Sequence, residues 1–184
     1  MKFDQVKRVK LGKKDRSNIN SWDTSILNLC NKINNKKDYY TTSSCSGRIL
    51  LLKESDKKQK GLFLFRTHDK ISFNKLKKEL NKIDYKGLIY FKQEPCLVVA
   101  CCENMNSAKK LLENAKLSGF KISGIMSSGK RIVCEMFSTE KIILPIMNKR
   151  KILVDDAYLK LLVKEANKKL WKTREKIKKF ENLL

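Results

Sequence analysis

Short apolar runs of strand length alternate along this chain with segments whose apolar residues recur at helical spacing, and that alternation limits the fold more than any other feature. Arg48 to Lys53 and Gly61 to Thr67 read as strands across the charged stretch Glu54 to Lys60, which predicts a hairpin with a long exposed loop. Ser72 to Ile83 follows, with Phe73, Leu76, Leu80 and Ile83 at helical spacing. Gly87 to Lys92 and Cys96 to Cys102 give a second strand pair, split by Gln93-Glu94-Pro95, where Pro95 is tolerated at a strand start or an edge. The next helix sets Ala108, Leu111, Leu112 and Ala115 on one face and stops at Gly119, a residue suited to the left-handed cap. Ile122 to Met126, Arg131 to Phe137 and Lys141 to Met147 then predict a three-strand meander whose last member, carrying Pro145, lies at an edge.

Helices close both ends. Phe3, Val6 and Val9 give Phe3 to Leu11 a narrow apolar stripe, and Ser21 can cap a helix that buries Trp22, Ile26, Leu29, Cys30 and Ile33, with Asp23 in its first turn. A long final helix begins near Asp155 and runs through Leu161, Leu162, Ala166, Leu170, Ile177 and Phe180. Strand–strand–helix recurs twice, so the expectation is an α+β fold: one domain over residues 1–184, with one mixed, largely antiparallel sheet and helices packed on it. With seven glycines and no Gly-x-Gly after the first strand, a doubly wound nucleotide-binding fold is disfavoured. Walker, nucleophile-elbow and zinc-deaminase signatures are absent as well.

The formal charge of +23 points to a polyanion, RNA above all, against the alternative of a merely solvated basic surface in a chain with 35 lysines and 7 arginines. Both ends are basic: residues 1–20 carry seven Lys or Arg against two acids, and residues 149–184 carry twelve against five. Lys13, Lys14, Lys168, Lys169 and Lys172 are the candidate contacts to a phosphate backbone. Six cysteines without a Cys-x-x-Cys pair, and His68 as the single histidine, predict reduced thiols and no metal site. No signal peptide, long apolar span or lipidation motif is present, so a soluble cytoplasmic protein without a membrane partner is expected. The oligomeric state is not readable.

One stretch fits neither periodicity. Asp38-Tyr39-Tyr40-Thr41-Thr42-Ser43-Ser44-Cys45-Ser46-Gly47-Arg48 gathers hydroxyls, a thiol, a glycine and a guanidinium, and no apolar residue alternates through it to bury one face. A polar segment of this kind, leading into an apolar strand, is suited to present short donors and backbone N–H groups to an anionic or polar ligand. Arg48 offers a bidentate grip on a carboxylate or phosphate.

This run, the upstream Asp15-x-Ser17 with Asp23 six residues on, His68 ending a strand, Glu94-Pro95, Gly119-Phe120-Lys121-Ile122-Ser123-Gly124-Ile125, and the closing Tyr158-Leu159 and Ala166-Asn167-Lys168-Lys169 resemble the third tRNA wybutosine-synthesising protein family over nearly the whole chain. The resemblance implies a methyltransferase that carries the methyl of S-adenosylmethionine to nitrogen-4 of 7-aminocarboxypropyl-demethylwyosine, the modified guanosine 3′ of the anticodon of tRNA(Phe). It implies site roles too. Asp15, Asp23 and His68 become candidates for proton acceptance or substrate orientation. Ser17, Tyr39, Ser43, Ser44, Cys45, Ser46, Gly47, Arg48, Ser123, Gly124 and Asn167 become candidates for contact with substrate or methyl donor. Asp15 and Asp23 are equally readable as helix caps or ion-pair partners, and Tyr39 as a core residue. The chain departs from the family pattern at Ile19-Asn20, where Lys-Gly is usual, and at Val98, where a histidine is common. A non-catalytic tRNA or RNA-binding module, using the basic ends as a clamp, is the alternative; a small-molecule enzyme of another class is a third reading.

Overall fold

The structure, a computed structural model, describes residues 2–12, 23–56 and 59–184. The expectations placed on Lys13, Lys14, Asp15, Ser17, Ile19, Asn20, Ser21 and Trp22 lie outside the described residues. In chain order the elements are α1 (Phe3–Leu11), α2 (Thr24–Asn35), β1 (Tyr39–Cys45), β2 (Arg48–Lys53), β3 (Phe63–Thr67), α3 (Phe73–Asn81), β4 (Ile89–Glu94), β5 (Leu97–Cys102), α4 (Met105–Leu117), β6 (Ile122–Ser127), β7 (Ile132–Phe137), β8 (Ile142–Asn148), β9 (Lys151–Ile152) and α5 (Asp156–Leu183). They divide into two compact units, one of Met1–Ser46, Cys96–Thr139 and Thr173–Leu184, the other of Gly47–Pro95 and Glu140–Lys172.

The first unit holds a four-stranded sheet in the order β1-β5-β7-β6, with every pairing antiparallel. Apolar residues spaced at helical period on α2 (Ile26, Leu29, Ile33) and α4 (Ala108, Leu111, Ala115) bury against one face of it, where Val98, Ala100, Cys134 and Met136 point. Each leucine or isoleucine among them contributes roughly 1.5–3 kcal/mol when taken fully out of water, so this face holds the unit together. The last turns of α5 join the same core through Ile177 and Phe180, the latter 5.3 Å from the ring of Phe120. α4 is closed by a capping box between Asn104 and Ser107 and stops where Gly119 takes a φ of 96°.

In the second unit the order is β3-β2-β4-β8-β9, again antiparallel throughout. Leu51 and Phe91 on the sheet, Leu76 and Leu80 on α3, and Leu159, Val163 and Ala166 on α5 form its core. Ser72 caps α3 by accepting from Lys75 N, and Asp155 accepts from Tyr158 N at the start of α5.

The α+β class and the antiparallel pairing agree with the sequence pattern; the expected single sheet is two. β4 and β5, expected as neighbours, fall in different sheets, and β8 leaves the expected meander to pair with β4. A short connection permits a hairpin without requiring one, and pairing goes to whichever neighbour buries the apolar side of each strand. Pro145 sits in β8 opposite Tyr90, beside a register shift and outside the two residues that β9 pairs, so its missing N–H breaks no ladder on that side. The hydroxyl-rich run, expected to carry no strand, is β1, the edge of the first sheet.

Candidate active site

Because the run is a strand, its side chains alternate between two faces, and the pleat separates groups that stand side by side in sequence. Tyr39, Thr41 and Ser44 pair with Cys102, Ala100 and Val98, all of which face the core. Tyr39 is buried and its hydroxyl donates to Ser107 O at 3.0 Å, so its ring offers no face for stacking. The Thr41 N–H donates to Asn34 Oδ1 at 2.7 Å, and Ser44 meets the Cys30 thiol of α2. Burial pushes Cys30 up to about 11, even though the Ser44 bond opposes it. A register shift between Thr41 and Ser43 then resets the alternation, and Ser43 and Cys45 fall on the opposite face, across from Val99 and Leu97.

Ser46 ends the run and is fully buried. Asp23 accepts from the Ser46 N–H at 2.9 Å and from the Ser46 hydroxyl, and its other oxygen accepts from Ser25 N at 3.1 Å. Asp23 is therefore the N-cap of α2, not a first-turn residue, and it ties that helix start to the end of β1. Arg174 of α5 donates to Ser46 O. Asp23 and Ser46, expected as base and ligand contact, have their polar atoms committed to holding the backbone.

Ser123 and Gly124 lie on β6, the far edge of the same sheet. Three strand spacings, about 14 Å, separate them from β1, too far for one small group to bridge. Ser123 also donates to Phe120 O. Yet Ser43, Val99, Glu135 and Gly124 form one row on the face turned away from the core, each residue paired with the next. Glu135 is half-buried in that row and makes no ion pair or hydrogen bond through its side chain among the described residues, in a chain with 42 Lys and Arg. Its neighbours on the face are apolar, Val99 across the ladder and Val133 and Phe137 along β7. Beside it Gly124 leaves open space where a Cβ would stand. Sequence reading passed over Glu135 because a single acid in Ile-Val-Cys-Glu-Met-Phe carries no motif.

In the second unit Gly47 adopts a φ of 89°, a conformation natural to glycine, before β2 begins. Arg48 Nε donates to Glu94 Oε2 at 2.6 Å, and its guanidinium lies 5.3 Å from the Phe63 ring centroid. Both partners leave the two terminal Nη groups without a hydrogen bond among the described residues. His68 Nδ1 stands 3.0 Å from Gly47 O. A carbonyl only accepts, so Nδ1 carries the proton in this contact and Nε2 is the basic nitrogen of the neutral ring. Asn167 of α5 closes a two-bond clasp on Ile71, Oδ1 accepting from its N–H at 3.0 Å and Nδ2 donating to its carbonyl at 2.8 Å. That clasp positions the segment after His68 and uses one Nδ2 hydrogen and one Oδ1 lone pair of the half-buried side chain. Lys168 and Lys172 are exposed on α5, and Lys169 is half-buried.

Antiparallel α+β sheets without a glycine-rich phosphate loop, bearing a carboxylate on an open sheet face and an arginine fork on a strand end, mark a protein outside the doubly wound nucleotide-binding class. The chain belongs to the family described as Methyltransferase TYW3, whose sequence model matches residues 2–184. It is 34% identical over 187 residues to the Archaeoglobus fulgidus protein named tRNA(Phe) 7-((3-amino-3-carboxypropyl)-4-demethylwyosine(37)-N(4))-methyltransferase, covering 100% of this chain and 94% of that one. The Methanocaldococcus jannaschii protein of the same name is 37% identical over 166 residues, covering 88% and 86%. A solved protein structure from Pyrococcus horikoshii superposes with a TM-score of 0.89 at 29% identity, covering 98% of this chain and 92% of that one.

Proposed function

We propose that this chain methylates nitrogen-4 of 7-aminocarboxypropyl-demethylwyosine, 3′ of the anticodon of tRNA(Phe), using S-adenosylmethionine, as a step in making wyosine derivatives in the cytoplasm. The carrying observation is the family match across residues 2–184, with relatives of that name at 34% and 37% identity. The length of the match supports reading residues 1–184 as one methyltransferase domain. No helix among the described residues is long and apolar enough to cross a membrane.

The residues of the first unit suit such a donor. S-adenosylmethionine supplies an electrophilic methyl on a positively charged sulfur. Glu135, without a lysine or arginine partner among the described residues, offers a negative charge beside apolar neighbours, where attraction to a bound cation is stronger than in open water. The Ser43 hydroxyl, at the β1 end of the row, can donate to polar atoms of a bound molecule. In the second unit the Arg48 Nη groups match the fork of a carboxylate, which the aminocarboxypropyl chain carries, or of a phosphate. His68 Nε2 can take the proton that a ring nitrogen loses on methylation.

The test is transfer of labelled methyl from S-adenosylmethionine to tRNA(Phe) bearing the precursor base. We expect label at nitrogen-4. A protein that binds this tRNA and never alkylates it would return the chain to a non-catalytic RNA-binding module. Arg48→Ala is expected to cut the rate by about tenfold or more, since a charged hydrogen bond is worth about 1.5–3 kcal/mol.

A further inference from the structure

Helix α5 bears lysines at four-residue intervals, Lys160, Lys164, Lys168 and Lys172, all exposed. Four residues are just over one turn, so each lysine stands about 6 Å above the last along one gently drifting line. Like charges at this spacing repel and disfavour the helix. From Ala157 to Lys172 no exposed position carries an acid to offset them. Lys160 lies over the Phe73 ring, whereas Lys164, Lys168 and Lys172 have no ion-pair, hydrogen-bond or ring partner among the described residues.

Apolar groups stand beside this line. Trp171 is 51% exposed and Leu161 54% exposed. An indole is among the costliest side chains to leave in water, and its neighbours three residues back and one residue on are Lys168 and Lys172. A large aromatic face set among unpaired cations matches single-stranded nucleic acid, in which phosphates meet the ammonium groups and an unstacked base covers the ring. A second copy of the chain fits less well, because a symmetric contact here would bring lysines against lysines.

We propose that Trp171 and the ladder of Lys164, Lys168 and Lys172 form a docking surface for a single-stranded segment of the RNA substrate, the indole stacking on one splayed base. The inference rests on the function proposed above, since it takes tRNA as the ligand. It assigns to Trp171 a role in recognition that the charge of the helix alone does not give.

The experiment uses the full chain carrying Trp22→Phe, so that Trp171 is the sole tryptophan, titrated with tRNA(Phe) transcript and with a single-stranded RNA of anticodon-loop sequence. Indole fluorescence should be quenched by both. Trp171→Ala should weaken binding by roughly five- to a hundredfold, as loss of one base–aromatic stack does, while Trp171→Tyr largely restores it. Each Lys→Gln change at 164, 168 or 172 should flatten the logarithmic salt dependence by about 0.7, and Trp171→Ala should leave that slope unchanged. Should Trp22→Phe disturb folding, the affinities of the Trp171 variants in the otherwise unchanged chain decide the matter. Equal binding by wild type and Trp171→Ala, or a dimer that only Trp171→Ala dissociates, overturns the inference. If wild type methylates its tRNA while Trp171→Ala binds equally well, only the docking surface fails; if wild type neither binds nor methylates, the proposed function fails.

Discussion

The two sides of β1 do opposite work with nearly the same side chains. On the core side Tyr39, Thr41 and Ser44, and after them the buried Ser46, spend their polar atoms on Ser107, Asn34, Cys30 and Asp23. On the other side Tyr40 is buried against Phe3, while past the register shift Ser43 is exposed and Cys45 half-buried, sharing a sheet face with Glu135, which is unpaired among the described residues. A hydroxyl-rich strand thus needs polar partners on its inner face to be buried at all, and the same composition supplies polar groups outside. The lesson is that residue type does not separate fold from chemistry in this run; the pleat does.

The largest effect expected from breaking this division lies at Asp23. Asp23→Ala removes a helix cap and the two hydrogen bonds that Ser46 donates to the carboxylate, which together should cost about 3–4 kcal/mol. A urea midpoint lowered accordingly, with the folded fraction still methylating, supports a structural Asp23. Unchanged stability with abolished turnover would instead make Asp23 a group in the reaction.

Alkaline pH should act on the buried titratable groups of β1 and α2, Cys30 and Tyr39 on the inner side and Tyr40 on the outer. Cys30 has its pKa raised by burial from 9.0 to about 11, so below pH 9 the thiol is protonated in both folded and unfolded chains and contributes no pH dependence. Between pH 9 and about 11 the unfolded chain releases a proton that the folded chain retains, and stability falls by about 3 kcal/mol. Tyr39 and Tyr40, both pushed up to about 12 chiefly by burial, extend the decline to higher pH. Denaturant curves at pH 8 to 11 should show this slope, and Cys30→Ala should make it shallower; a slope unaltered by that change would place the alkaline sensitivity elsewhere.

How much of this was legible before the structure follows from the same contrast. α1, α3, α4 and α5 announce themselves through apolar spacing, caps and the Gly119 stop, because a helix is a local object. β1 is hidden because its inner face is filled by hydroxyls with partners on other elements, and a period-two hydrophobic pattern never forms. The division into two sheets is hidden for a related reason: Gln93-Glu94-Pro95 reads as a hairpin turn, but pairing of β4 and β5 is decided by distant partners, β8 and β7. Arg48, His68, Asp23, Ser46 and Asn167 were all visible as site candidates, but the bonds that Asp23, Ser46 and Asn167 make are revealed only by the fold. Arg174, holding Ser46 O, and Trp171 disappear into the lysine-rich helix around them.

The smallest effect tests the outer side. Glu135→Gln keeps the shape and removes the charge, and since the carboxylate has no partner among the described residues, folding stability should move by no more than about 0.5 kcal/mol. If Glu135 faces the sulfonium or amine of the methyl donor, affinity for S-adenosylmethionine measured by calorimetry should fall by about tenfold, or about 1.4 kcal/mol. The demethylated thioether product, which lacks the sulfonium charge, should lose less if the carboxylate faces sulfur, and equally if it faces the amine that both molecules carry. Ser44→Ala, a change on the inner face, should do the reverse, lowering the melting temperature slightly with donor affinity unchanged. Identical donor binding by wild type and Glu135→Gln would leave the outer face without its ligand, and the difference between the two sides of β1 would then be one of burial alone.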